Sequence, residues 1–304
     1  MTKKRWLIYS KKYRVDIGSH VFPTKKYDLL REKLIREKLA DDADFIDPLP
    51  VTDEDLCLVH TKRYVDKMKS GKLSGAEIFT LELPYSKDLY SASCACVGGT
   101  ILACSKALDD FSGIHLGGGF HHAFPDHGEG FCVFNDVAIG IIRLMKDGRI
   151  KKALVIDCDL HQGNGTAFIF QNNKDVFTFS IHQEHNYPFH KPKSSLDIGL
   201  RDRAGDSEYL DALRANMPKI ISGFKPEFIM YVAGADPYKD DQIGNLGLTI
   251  EGLLKRDEFI YQMAENYNVP IAVVLAGGYA RNIEDTVLIH FNTVKTALGY
   301  ARNN

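Results

Sequence analysis

An excess of either charge is what this 304-residue chain lacks first: 38 Lys and Arg stand against 40 Asp and Glu, a formal net charge of −2. A near-neutral chain without a basic stripe matches a nucleic-acid backbone poorly, so no nucleic-acid partner is expected. The short Lys3-Lys-Arg5 patch does not alter that. Cysteine is scarce as well. The six cysteines (57, 94, 96, 104, 132 and 158) are too few for a disulfide scaffold, and Cys94, Cys96 and Cys104 have neither CxxC spacing nor paired histidines nearby. Buried reduced thiols are expected rather than a structural zinc site. No uninterrupted apolar run reaches the ~18–20 residues of a membrane span, and the apolar stretch after residue 5 is too short for a signal-peptide core. A soluble cytoplasmic protein is the expectation. Repeats, low-complexity tracts and Pro/Gly/Ser-rich linkers are also missing, which predicts a single domain over residues 1–304.

What is present is a chain 44% hydrophobic and 26% charged, enough to bury a large core. Strand-length apolar runs at 6–9, 114–116, 153–157, 176–182, 228–233 and 271–275 alternate with helical periodicity at 25–39, 89–108, 135–145, 207–221, 250–267 and 282–298. Helix-start signals precede Leu56 (Thr52-Asp-Glu-Asp) and Tyr209 (Asp206-Ser-Glu). This pattern predicts an α/β fold, a three-layer αβα arrangement whose mostly parallel central sheet is covered on both faces. Polar clusters at 117–136, 157–165, 234–244 and 276–280 each follow a strand. Ligands of open α/β sheets bind beyond the carboxyl ends of the strands, so the four clusters can converge on one pocket.

Leu154-Val-Ile-Asp-Cys-Asp-Leu-His161 carries the most chemistry. Alternation along an extended strand places Asp157, Asp159 and His161 on one side. Three polar groups there are costly unless something pairs them, and a metal ion does so well. The competing reading has Asp157 capping the next turn and His161 bonded to backbone. Asp236, just past the 228–233 run and before Pro237, is either a third ligand or an ordinary turn opener. An Asp2His set would leave a fourth position open, as catalytic sites do. In Gly117-Gly-Gly-Phe-His-His122 the glycines permit close backbone approach, and the two imidazoles suit acid–base work. A plain Gly-rich turn is the alternative; no GxGxxG opens a helix here. Tyr279, after Gly277 and Gly278, could donate to an oxyanion or be a surface tyrosine.

Taken in order, five segments resemble the zinc-dependent histone deacetylase family of the arginase/deacetylase fold. They are Gly117–His122, Gly130-Phe-Cys-Val-Phe-Asn-Asp136, Asp157-Cys-Asp-Leu-His-Gln-Gly-Asn-Gly165, Ala233-Gly-Ala-Asp236 and Gly277-Gly-Tyr279. The likeness runs over residues 9–298. Val59-His-Thr-Lys-Arg-Tyr64, Asn186-Tyr-Pro188 and Gly244-Asn-Leu-Gly-Leu-Thr249 make it most similar to class IV and its bacterial relatives. The resemblance implies one catalytic zinc on Asp159, His161 and Asp236, with iron left open as the native ion. His121 and His122 would be the acid–base pair, supported by Asp157, and Tyr279 the carbonyl polariser. Gly130, Phe131, Gly277 and Gly278 would line the acyl tunnel, with Tyr187 on a rim formed by residues 185–192. A structural potassium ion is implied near Asp157, Asp159, His161 and Ser180. The implied reaction removes acetyl or longer fatty-acyl groups from lysine side chains of proteins or peptides, or from small acylated amines such as acetylpolyamines.

Asn164 stands where some members have Asp beside the second histidine. A neutral amide raises an imidazole's pKa far less than a carboxylate does. His121 beside Asp157 is therefore expected to be cationic, and His122 beside Asn164 neutral and the general base. The two-manganese arginase branch needs carboxylates where Gly163 and Gly234 stand, so a single metal is expected. Ser19-His-Val-Phe-Pro23 departs from the usual His-Pro form. A non-catalytic acyl-lysine binder would lack a ligand, a catalytic histidine or the tyrosine, and all are present.

Overall fold

Eight strands make up the sheet among the residues, 6–301, that the computed structural model describes: β1 (Leu7–Ile8), β2 (Phe45–Ile46), β3 (Ser112–His115), β4 (Ala153–Asp157), β5 (Val176–Gln183), β6 (Leu196–Leu200), β7 (Phe228–Val232) and β8 (Ile271–Val274). Residues 3–5 lie outside that range. The strand order is β2-β1-β3-β8-β7-β4-β5-β6 and every neighbouring pair is parallel. Helices α1 (Lys26–Arg36), α2 (Asp53–Leu56), α3 (Lys62–Ser70), α4 (Gly75–Leu81), α5 (Lys87–Asp110), α6 (Asp136–Lys146), α7 (Asn164–Phe170), α8 (Asp206–Phe224), α9 (Ile250–Asn266) and α10 (Ile283–Tyr300) complete the chain.

Alternation along the central strands divides the core in two. Leu154, Ile156, Ile229, Tyr231, Ile271 and Val273 join one cluster, which Leu34 of α1, Met217 of α8, Ile260 of α9 and Val294 of α10 cover. Ala153, Val155, Met230, Val232, Ala272 and Val274 join the other, beneath Ala107 of α5 and Ile141 of α6. With both faces covered, these strands must read as continuous apolar runs, which is why the sequence reveals them. The sheet is thus wholly parallel and three-layered. The strand register then lines up His115, Val274, Val232, Asp157 and Ser180 across five neighbouring strands. All four polar clusters leave the sheet beside this line.

Two strands escaped the sequence pattern. β2 is two residues long, and β6 (Leu-Asp-Ile-Gly-Leu) is mostly half-exposed. Both are edge strands, which bury too little to impose a continuous apolar run. The short helices α3, α4 and α7 were not expected either, although Thr61 and Ser74 cap the first two. The Thr52 signal does open α2: its hydroxyl accepts from the Asp55 N–H. One expectation needs amending. Helix α5 contains a stretch long and apolar enough to cross a membrane by length and composition, masked in the sequence by interspersed polar residues, but 67% of that stretch is buried inside the protein. All six cysteines are free; five are buried and Cys57 is exposed.

Candidate active site

The β4 strand ends at Asp157, so Asp159 and His161 lie on the bend that follows rather than on the strand itself. Side-chain carboxylates hold this bend together with backbone bonds to the neighbouring strands, Cys158 N–H to the Val232 carbonyl and Gln183 N–H to the Leu160 carbonyl. Asp157 Oδ1 accepts from the Asp159 N–H at 3.1 Å, Asp159 Oδ1 from the His161 N–H at 3.0 Å, and Asp236 Oδ1 from the Leu160 N–H at 3.0 Å. The result brings ligand atoms of Asp159, His161 and Asp236 within 4.8 Å of one another, all buried. Gly277 N–H donates to Asp159 Oδ2 at 2.9 Å, while Asp236 Oδ2 has no hydrogen-bond partner. A buried carboxylate oxygen with no hydrogen bond, 3.4 Å from His161 Nδ1 and beside a second carboxylate, fits a bound cation, and two oxygens with one nitrogen suit zinc or a similar divalent ion.

The electrostatics agree. Burial and the neighbouring Asp159 carboxylate push Asp236 up to about 7. Burial lowers His161, but Asp159 and Asp236 outweigh it and raise the imidazole to about 10. Gly163 and Gly234 leave no room for a side chain beside these carboxylates: a Cβ at Gly163 would stand 2.5 Å from Asp157 Oδ2, and one at Gly234 would stand 2.6 Å from Asp236 Oδ1.

His121 and His122 sit beside this cluster on the loop after β3. Asp136 at the start of α6 secures the loop, accepting from Phe120 N–H at 2.7 Å and Gly119 N–H at 3.0 Å. Asn135 donates to the carbonyls of His121 and Ala123. His121 Nδ1 lies 2.7 Å from Asp157 Oδ2, and His122 Nδ1 lies 2.7 Å from Asn164 Oδ1. Burial lowers His121, but the Asp157 and Asp159 carboxylates prevail and lift it to about 9. Burial, together with His121 and His161, pushes His122 well below its ordinary value. The two adjacent imidazoles are therefore driven in opposite directions: carboxylates prevail at His121, while burial and two neighbouring imidazoles outweigh the Asn164 hydrogen bond at His122.

A cleft of about 170 Å³ opens over these groups, lined in part by Gly130, Phe131, Tyr187 and Tyr279 together with His122 and His161. A second space of about 20 Å³ shares His122, Phe131, His161 and Tyr279 with it and is bordered further by Asp159, Gly118, Gly119, Ala276 and Gly277. Gly277 thus borders the second space, whereas Gly278 lines neither, and a Cβ added there would meet Thr286 and Ala235. The departing N-terminal loop also finds its place: Phe22 stacks on Phe131 with centroids 6.2 Å apart, and His20 meets Phe131 edge-on at 4.8 Å. Phe131 (φ 66°) and Ala276 (φ 42°), both at this site, occupy the left-handed region, strain of about 1–3 kcal/mol each.

Ser180 faces Asp157 in register, but its hydroxyl is 2.9 Å from His182 Nδ1, and both Asp157 oxygens are occupied by His121 and the Asp159 N–H.

Three residues of the site were missed in the sequence. Lys26 is fully buried; its Nζ donates to the Ala276 carbonyl at 2.7 Å and lies 5.8 Å from the Tyr279 ring centroid. Burial lowers its pKa to about 8. Asp241 accepts from Tyr279 N–H at 2.7 Å, fixing the tyrosine's backbone. Glu129 accepts from Asn164 Nδ2 at 2.6 Å, behind His122. A lysine opening a helix, an Asp-Asp turn and a polar loop carry no mark of function by themselves; only their long-range partners give them one.

The sequence profile of the histone deacetylase domain matches residues 20–294. An uncharacterised protein of Picosynechococcus sp. is 37% identical over 271 residues, 89% of this chain and 90% of that one. Histone deacetylase 2 of Arabidopsis thaliana is 29% identical, covering 92% and 77%. Acetoin utilization protein AcuC of Staphylococcus aureus is 31% identical, covering 86% and 72%. The crystal structure of the HDA15 HD domain superposes with a TM-score of 0.76 at 24% identity, over 97% of this chain and 91% of that one, which places the two in one fold. A match across nearly the whole chain makes this protein a member of the histone deacetylase family.

Proposed function

We propose that the chain is one catalytic domain, a metal-dependent amidohydrolase that removes an acyl group from a lysine side chain. The observation that carries this is the buried Asp159–His161–Asp236 cluster with its unpaired Asp236 oxygen, set beside two histidines with opposed partners. Zinc is the ion we assign; when bound it would supply Lewis-acid polarisation of the scissile carbonyl and a more acidic attacking water. Hydrogen-bonded through Nδ1 to an amide oxygen, His122 keeps Nε2 as its lone-pair nitrogen, suited to accept the proton of the water and return it to the departing amine. His121, paired with Asp157, carries positive charge beside the developing oxyanion. Tyr279 stays a neutral phenol because burial and the nearby Asp236 and Asp159 push its pKa far up, so it donates to the same oxyanion. Phe131, Gly130 and Tyr187 flank the lysine stem, and Gly277 borders the acyl end.

The resemblance to class IV leaves long acyl chains open, but the space around Asp159, His161, Tyr279 and Gly277 is only about 20 Å³, which supports a small acyl group at the reacting centre. Acetyl is therefore the group we assign, on a protein or peptide in preference to a small amine. Free thiols suit a reducing, cytoplasmic compartment. The potassium site is a separate proposal that rests on the resemblance and on the register of Asp157 and Ser180, whose side chains here meet His121, the Asp159 N–H and His182. The test is hydrolysis of one lysine peptide bearing acetyl, octanoyl or myristoyl by the zinc-loaded protein. Acetyl is expected to turn over fastest. Myristoyl outrunning acetyl would overturn the assignment of the acyl group, and no turnover of any peptide would overturn the acyl-lysine reading itself.

A further inference from the structure

An asparagine amide has nearly the same shape in both of its orientations, yet the two have opposite consequences for His122. With Oδ1 toward the ring, Nδ1 carries the proton and Nε2 is basic. Turned over, Nδ2 would donate to Nδ1, the proton would sit on Nε2, and the base would be lost. Asn164 is 2% exposed, so bulk water does not arbitrate between the two. Its other partner does. Glu129 Oε1 lies 2.6 Å from Asn164 Nδ2, and an ionised carboxylate accepts hydrogen bonds but cannot donate them.

Glu129 is itself held in place. The Tyr187 hydroxyl donates to the same Oε1 at 2.8 Å, and His127 Nε2 lies 3.4 Å from Oε2. His127 is anchored in turn, its Nδ1 2.7 Å from Asp126 Oδ1. Although burial pushes the Glu129 carboxyl up, hydrogen bonds from His127, Tyr187 and Asn164 prevail and keep it below its ordinary value. The run Asp126–His127–Glu129–Asn164–His122 thus leads from an exposed loop to the candidate base.

We propose that Glu129 is a positioning residue for the reaction: by accepting from Asn164 it fixes the amide orientation and thereby holds His122 in its Nδ1–H tautomer. An aspartate at position 164 would accept from His122 directly and need no such partner; with asparagine there, the accept-only carboxylate stands one side chain further out. This inference rests on reading His122 as the proton acceptor, and one part of its test does not depend on turnover.

Histidine-labelled, zinc-loaded protein is compared with Glu129→Gln, Asn164→Asp and the double variant, reading the His122 tautomer from two-bond nitrogen–proton NMR patterns and kcat and KM on an acetyl-lysine peptide. Wild type is expected to show Nδ1–H alone. Glu129→Gln, able to donate or accept, is expected to admit the Nε2–H form and lower kcat about tenfold. Asn164→Asp sets two carboxylates against each other and is expected to lower kcat by a similar factor. In the double variant the glutamine amide donates to the new carboxylate at position 164, which accepts from His122. The Nδ1–H form should return, with kcat within about threefold of wild type, a non-additivity that independent sites do not show. A pure Nδ1–H signal with unchanged kcat in Glu129→Gln, or a double variant no better than its parents, would overturn the proposal. Should wild type itself fail to turn over, the functional reading falls, while the tautomer spectra still decide the role of Glu129.

Discussion

Asp236→Asn is expected to empty the metal site and to lower acetyl-lysine hydrolysis at least about a thousandfold, beyond the ~10–100-fold that supporting groups cost. Asparagine keeps the size of the side chain, and its carbonyl oxygen can still accept from Leu160 N–H, a bond now 3.0 Å long. The bend therefore keeps its shape. What changes is the free oxygen, Asp236 Oδ2, which becomes an uncharged amide nitrogen next to His161. That position would then repel a cation instead of holding one. Metal content per chain, measured alongside hydrolysis, separates this cause from misfolding. A variant that keeps its metal and stays within about tenfold of wild type would remove Asp236 from the ligand set.

Gly277→Ala is expected to produce a comparable loss without altering any candidate ligand. A Cβ at this position would stand 2.7 Å from Asp159 Oδ2 and nearer still to Asp236 Oδ2. One methyl group would thus occupy the space between the two carboxylates. Its neighbours cannot yield easily, because Gly277 is bonded on both sides: its N–H donates to Asp159 and its carbonyl accepts from Ala235 N–H at 2.9 Å. Hydrolysis should fall at least about a thousandfold with metal no longer retained, while the unfolding midpoint moves by only about a few degrees. A variant that retains both metal and activity would place the ion elsewhere.

Much of this site was legible because its residues are close in sequence and follow strands that are themselves easy to read. Asp157, Asp159 and His161 fall within five residues of one another, and Ile156 and its neighbours could only be a buried strand. The strand itself, however, ends at Asp157, where the backbone bends and carboxylates join the neighbouring strands in holding it. The different partners of His121 and His122 were also legible, since Asn164 offers the second ring an amide where Asp157 offers the first a carboxylate. What could not be read depends on contacts between distant segments. Lys26 is 250 residues from the carbonyl it bonds, and nothing in Lys25-Lys26-Tyr27 says which lysine is buried. Gly278 shows the reverse. It sits within the most recognisable motif, yet lines neither space, and a Cβ there would meet Thr286 and Ala235. Adjacent residues in a tight turn point in different directions, and a motif does not record which.

The central claim is that a single divalent ion, held by Asp159, His161 and Asp236, is required for hydrolysis. The most direct measurement is a metal titration of chelator-treated protein, following acetyl-lysine peptide turnover as zinc is added. Turnover should be absent without metal, rise in proportion to added zinc and level off at one equivalent per chain. Hydrolysis by the metal-free protein, or a rise that continues to two equivalents, would contradict it.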